Sequence, residues 1–166
     1  MNTIGKSTGS YPDSEWKRRL LLSEHSPSRK IRFSWRWVNL KSWVSVHFTR
    51  HFIGIVHFVK TQRTDRTGIN RDELPQSNLV THEADASAQA LINISRRRLC
   101  NCSAKETREA WKAVKDKVAK VEPEVARCMV PDCIYRGHCY EMFSCGFHKT
   151  DEYKKQLEEY RSGINE

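Results

Sequence analysis

Ile31, Phe33, Trp35 and Trp37 alternate with Arg32, Ser34 and Arg36, and this stretch constrains the fold more than any other. A period of two puts the large apolar side chains on one side of a strand and the cations on the other. The chain must therefore supply a core for one face only of that strand. The strand lies within a segment, His25 to Thr64, that contains no Asp or Glu but eight Lys or Arg. Cations without internal counter-charges either face solvent or meet an anion. With 38% apolar and 30% charged residues in 166, the chain suits one domain with a thin core, and burial between copies is expected. The net charge of +9 favours anionic partners in general, without choosing among nucleotides, nucleic acid and acidic membranes.

Residues 1–15 read as a flexible leader, rich in Gly and Ser and lacking the apolar stretch of a signal peptide. No window has the apolar length of a transmembrane helix, so no membrane partner is expected and the location reads as cytoplasmic. In that compartment the six cysteines are thiols or metal ligands. Trp16 to Leu22 begins a short helix that Ser26-Pro27 stops. Trp43 to Phe48 carries both β-branched residues and helical spacing, and periodicity leaves its type open. Thr64 to Gln76 is a polar loop. A helix is expected from about Glu83 to Leu99, on the small-residue stripe Ala84, Ala88, Leu91, Ser95 and Leu99. Ser103 to Glu106 reads as a capping box, opening a helix that buries Thr107, Trp111, Val114, Val118 and Val121 and ends at Pro123. A charged amphipathic helix over Asp151 to Arg161 closes the chain, with Tyr153, Leu157 and Tyr160 as its apolar stripe. The division is thus a core over 16–125 and a cysteine-rich segment with the last helix over 126–166.

Arg50-His51 and Thr61-Gln62-Arg63 are the leading candidates for a phosphorylated ligand, because the arginine fork grips phosphates bidentately. The competing reading is a solvated basic loop. Gly54 permits a sharp reversal that brings Arg50 and Arg63 toward one ligand. Arg108 falls in the first turn of its helix, where the macrodipole disfavours a cation unless an anion is bound; the plainer alternative is an ion pair with Glu109. Arg96, Arg97 and Arg98 suit a helix C-terminus without any ligand. Cys128, Cys133, Cys139 and Cys145 have gaps of four, five and five residues, with His138 and His148 nearby. That spacing fits structural zinc poorly, so no metal ligand is assigned.

In order, these blocks resemble the flavin-dependent thymidylate synthases, specifically the short, phage-like variety. The family signature is Arg-His-Arg, seven residues, then Ser, with Arg two positions on. Here Arg50-His51-Phe52 is followed after eight residues by Thr61-Gln62-Arg63. The family's helix ending in Leu-Arg, with the Arg of a Glu-x-Arg ten residues on, is matched by Arg98 and by Glu106-Thr107-Arg108. Ser26-Pro27 resembles a Thr-Pro that precedes the strand leading into the signature. The likeness covers roughly Leu20 to Val121.

The resemblance implies an α+β fold of the thymidylate synthase-complementing-protein type, an antiparallel sheet with packed helices assembling as an oligomer. It implies a homotetramer that binds FAD between subunits and converts dUMP to dTMP, with methylenetetrahydrofolate and NADPH as co-substrates, in host cytoplasm if phage-encoded. Arg108 matches the catalytic arginine that stabilises the ionised pyrimidine at N3. Arg50, Thr61, Gln62 and Arg63 match the dUMP-binding positions, Arg50 also nearing the flavin. Ser26, His51 and Arg98 match FAD contacts. Phe52 replaces a cation, and the inserted residue makes Lys60 or Thr61 the counterpart of the family serine. Two other readings compete: a nucleic-acid-binding module stacking bases on Trp35, Trp37, Trp43 and Phe48, and an inactive scaffold of the synthase type. Since Trp35 and Trp37 share a face with Ile31 and Phe33, a core role is the simpler account, and nucleic acid is not the expected partner.

Overall fold

The computed structural model describes residues 11–162, so most of the expected leader lies outside the described residues. In chain order the elements are α1 Ser14–Leu22, β1 Arg32–Lys41, α2 Ser42–Thr49, β2 Ile55–Val59, the single turn α3 Thr64–Thr67, β3 Leu79–Ser87, α4 Ala88–Arg98, α5 Lys105–Val118, α6 Pro123–Cys128, α7 Asp132–Arg136 and α8 Asp151–Arg161. Short 3-10 turns fall at Ser26–Arg29, Arg71–Glu73 and Phe147–Lys149. The class is α+β, with one three-stranded antiparallel sheet in the order β1-β3-β2 and packed helices. The chain divides into two compact units, Arg32–Ala86 and the remainder.

In the Arg32–Ala86 unit the alternation of β1 is realised: Phe33, Trp35 and Trp37 are half-buried while Arg32, Ser34 and Arg36 are exposed. The undecided stretch after it is helix α2. Its buried positions Val44, Ser45 and Phe48 fall at helical spacing, and Trp37 stacks on Phe48 with ring centroids 4.5 Å apart. The β2–β3 register sets Val56 opposite Asp85, His57 opposite Ala84 and Phe58 opposite Glu83. One sheet face therefore carries Val56, Phe58, Glu83 and Asp85 outward. On that face Arg36 pairs with Glu83 at 2.6 Å, Arg32 pairs with Asp85, and the Ser34 hydroxyl donates to Asp85 at 2.7 Å. Exposed pairs of this kind contribute roughly 0–1 kcal/mol each, so they specify register more than stability. They also give two of the eight cations counter-charges from outside the acid-free segment.

The helix expected from Glu83 is corrected. Residues 83–87 finish strand β3, and the helix starts only at Ala88. Val80, His82, Ala84 and Ala86 are all buried, a period of two that the small alanines disguise as a helical stripe. Ser87 makes the switch: its hydroxyl accepts from the Ala90 amide at 3.2 Å and caps α4. In the polar stretch Thr64 to Gln76, only α3 and one 3-10 turn form regular structure.

In the other unit, α1 has Asp13 as N-cap, its carboxylate accepting from the Trp16 amide at 2.8 Å. The helix closes with paired bonds, Glu24 N–H to Leu21 O at 3.2 Å and His25 N–H to Leu20 O at 3.3 Å. This closure puts Glu24 at φ 51°, a left-handed position that glycine usually fills. The Glu24 carboxylate is held in return by Arg96 and by Gln89 Nε2, the latter at 2.9 Å. Helix α5 buries Thr107, Trp111, Val114 and Val118 as expected. Trp111 is fully buried, and its indole N–H donates to Ser95 Oγ at 2.9 Å, tying α5 to α4. Two details of α5 differ from expectation. The helix stops at Val118 and leaves Val121 exposed. Its N-cap is Ala104, without a side-chain cap bond, while the Ser103 hydroxyl makes no hydrogen bond, so the capping box does not form. Helix α8 follows its expected span; Thr150 caps it, and Tyr153 packs with Val130 and Ile134, joined by Cys133, Phe147, Leu157 and Tyr160.

Candidate functional site

The candidate residues divide between the units. Arg50, His51, Thr61, Gln62 and Arg63 belong to the Arg32–Ala86 unit, whereas Ser26, Arg98 and Arg108 belong to the other.

Arg50 ends α2 and starts the turn that leads into β2, a turn that uses Gly54 at φ 73°. The expected reversal at Gly54 is therefore present. The Arg50 guanidinium is exposed and has no partner among the described residues. Thr61, Gln62 and Arg63 follow β2 directly. The five-residue strand β2 lies between Arg50 and Arg63 in sequence. Arg63 is itself gripped by Asp65, Nε at 2.9 Å and Nη2 at 2.7 Å, and its backbone amide donates to Thr61 Oγ1 at 3.2 Å. The Arg63–Asp65 pair is solvent-exposed, so a phosphate dianion could displace the carboxylate at little cost.

Beside this turn runs a hydrogen-bonded chain of residues far apart in sequence. Ser45 Oγ lies 2.9 Å from His82 Nδ1, His82 Nε2 lies 2.9 Å from His57 Nδ1, and His57 Nε2 lies 2.7 Å from the carbonyl of His51. The register places His57 and His82 on the same sheet face, diagonal to one another. His82 is fully buried, edge-on to Trp37 and Phe48. Burial, helped by the neighbouring His57, pulls its pKa down to about 4, so it is neutral at physiological pH. No local motif links residues so far apart in the chain.

In the second unit, Ser26 is exposed at the start of its 3-10 turn. The buried neighbour Ser28 fixes that turn, its hydroxyl within 2.8 Å of the His25 carbonyl and 3.0 Å of Gln89 Oε1. Of the three arginines ending α4, Arg96 pairs with Glu24 and lies over the Tyr135 ring, and Arg97 pairs with Glu141 at 2.7 Å. Arg98 is half-buried in the same last turn. Arg108 does not form the ion pair with Glu109 that the sequence allowed. Its Nη1 donates to the carbonyls of Asn101 at 3.0 Å and Ser103 at 3.4 Å, while Glu109 pairs with Lys105. A guanidinium has five N–H donors, so this anchorage leaves the Nε and Nη2 edge for a ligand.

Arg108 lines a cleft of about 380 Å³ together with Cys100, Cys133, Cys139, Cys145 and His148. The four thiols that share a cleft thus include Cys100 in place of Cys128, which is buried elsewhere. Burial pushes the thiol pKa of Cys100 up to about 12, and those of Cys128 and Cys133 up to about 11. At neutral pH these three are protonated and poorly nucleophilic. Among the described residues, no group of three His, Cys, Asp or Glu side chains is placed to hold a metal ion. No described helix is long and apolar enough to cross a membrane.

Compared with known proteins, the chain matches no family model, and no curated protein matches it significantly.

Proposed function

We propose that this chain is a flavin-dependent thymidylate synthase of the short type, methylating dUMP to dTMP. The observation that carries the reading is the ordered pair of signature blocks flanking β2, an exposed Arg50 without a partner among the described residues before the strand and Thr61-Gln62-Arg63 after it. In this reading Arg50 and Thr61 to Arg63 hold the phosphate and base of dUMP. Arg108, anchored by two carbonyls, presents its remaining N–H edge to the pyrimidine and stabilises negative charge developing there. Ser26, His51 and Arg98 contact FAD; cations, an imidazole and a hydroxyl are a donor set that suits a diphosphate. When bound, the flavin supplies the redox chemistry, with NADPH as reductant and methylenetetrahydrofolate as carbon donor. In this reading the chain is a tetramer that binds FAD between copies, and the apolar side chains exposed along edge strand β2 support such assembly.

The test is the visible absorption spectrum of the purified protein with FAD, before and after dUMP is added. A flavin band that dUMP perturbs is expected, and Arg108→Ala should abolish dTMP formation while leaving assembly intact. Failure to take up flavin under any condition, or unchanged turnover in the variant, overturns the assignment. The nucleic-acid reading is weakened by the stacking of Trp37 on Phe48, which commits that ring to the core.

A further inference from the structure

The chain Ser45–His82–His57 ends on the carbonyl of His51, and this end fixes where every proton sits. A carbonyl only accepts, so His57 must carry a proton on Nε2. In the neutral ring its Nδ1 is then bare and must accept, which requires a proton on His82 Nε2. Neutral His82 is left with a bare Nδ1, and that nitrogen accepts from the Ser45 hydroxyl. One arrangement of protons therefore satisfies every polar atom in a fully buried imidazole. The groups come from α2, β3 and β2 in turn, so the chain of bonds crosses the unit from its helix to the start of the edge strand. Its last acceptor belongs to the residue directly after Arg50.

We propose that His57, oriented through His82 by the buried Ser45 hydroxyl, is a positioning residue that holds the His51 carbonyl and so sets the Arg50–His51 turn for an incoming nucleotide phosphate. The His51 amide donates to the Phe48 carbonyl at 2.9 Å, and the His57 bond to the His51 carbonyl adds a second hold from the strand side. Phe52 and Ile53 at the tip are exposed, and Gly54 relaxes the backbone beyond them, so side-chain packing there contributes little. Removing the Ser45 hydroxyl leaves the buried His82 Nδ1 without its partner, so the ring is no longer held in place and its Nε2–H no longer fixes His57.

The ligand part of this inference rests on the dUMP reading of Arg50 and His51; the positioning part does not. The experiment is nitrogen-15 NMR of the imidazole rings and backbone amides in the full chain, with dUMP then titrated in, on the wild type, Ser45→Ala and Ser45→Thr. In the wild type both rings should carry a proton on Nε2, and His82 Nδ1 should be bare. Ser45→Ala should move the amides of His51 to Gly54 and weaken dUMP binding by about tenfold, the effect of one misplaced hydrogen bond. Ser45→Thr, which keeps the hydroxyl, should restore both. A proton on Nδ1 of either ring, or turn amides that ignore Ser45→Ala, overturns the proposal. If the wild type binds no dUMP, the functional reading falls, and the ring tautomers and turn amides alone then decide the positioning role.

Discussion

Glu24 shows how a single residue here is kept in a conformation it would not choose. A left-handed backbone costs a side-chain-bearing residue about 1–2 kcal/mol, and in this chain the carboxylate's bonds to Arg96 and Gln89 offset that cost. The two contributions separate cleanly by substitution. Glu24→Ala and Glu24→Gly lose the same carboxylate contacts and differ only in backbone preference. Both should be less stable than the parent in urea unfolding, with the glycine variant about 1 kcal/mol more stable than the alanine variant. Equal stabilities would show that the helix end adopts another conformation.

At the scale of elements, β3 is the strand that a helical stripe of small residues disguises. Val80, His82, Ala84 and Ala86 make its buried face, and an imidazole in that row couples the strand to acid. Inside the fold His82 protonates only near pH 4, whereas in the unfolded chain it protonates near its ordinary 6.5. Between those values the unfolded state binds more protons, so acid favours unfolding. The stabilisation is complete above about pH 6.5 and is lost as pH falls toward 4, by at most about 3 kcal/mol. Chemical denaturation at a series of pH values in this window measures the slope, and His82→Gln should flatten it. A slope that survives the substitution would assign it to other groups.

For the whole molecule, the apolar residues exposed on the Arg32–Ala86 unit matter more than the thin core alone suggests. Phe52 and Ile53 are 77% and 76% exposed, and Val56 and Phe58 add to them along edge strand β2. Apolar surface of this kind on an edge strand commonly marks a contact between molecules. The proposed function needs such a contact, since it places FAD between copies of the chain. Sedimentation velocity should therefore show a tetramer, and Phe58→Glu should shift it toward smaller species. A monomer at the concentrations used for the flavin titration would remove the shared-site reading.

The sequence by itself determined those elements whose pattern is local: the β1 alternation, α1 before Ser26-Pro27, the buried face of α5 from Thr107 to Val118, and α8 with its tyrosine stripe. Side-chain period and helix-stopping residues act over a few positions, so they can be read there. Tertiary structure decided the rest. Alanine and histidine carry little strand preference, and pairing with β1 and β2 on either side made this central strand extended. The basic motif and Arg108 were legible as residue types. Their commitments were not, because the partners, Asp65 for Arg63 and the Asn101 and Ser103 carbonyls for Arg108, depend on loop geometry. Least legible were Ser45, His57 and His82, which meet only because a helix and two strands pack together, and Cys100, which lines the cleft with Cys133, Cys139 and Cys145 although it lies far from them in sequence. Spacing along a chain describes neighbours in sequence, and sites built from several elements are made by packing.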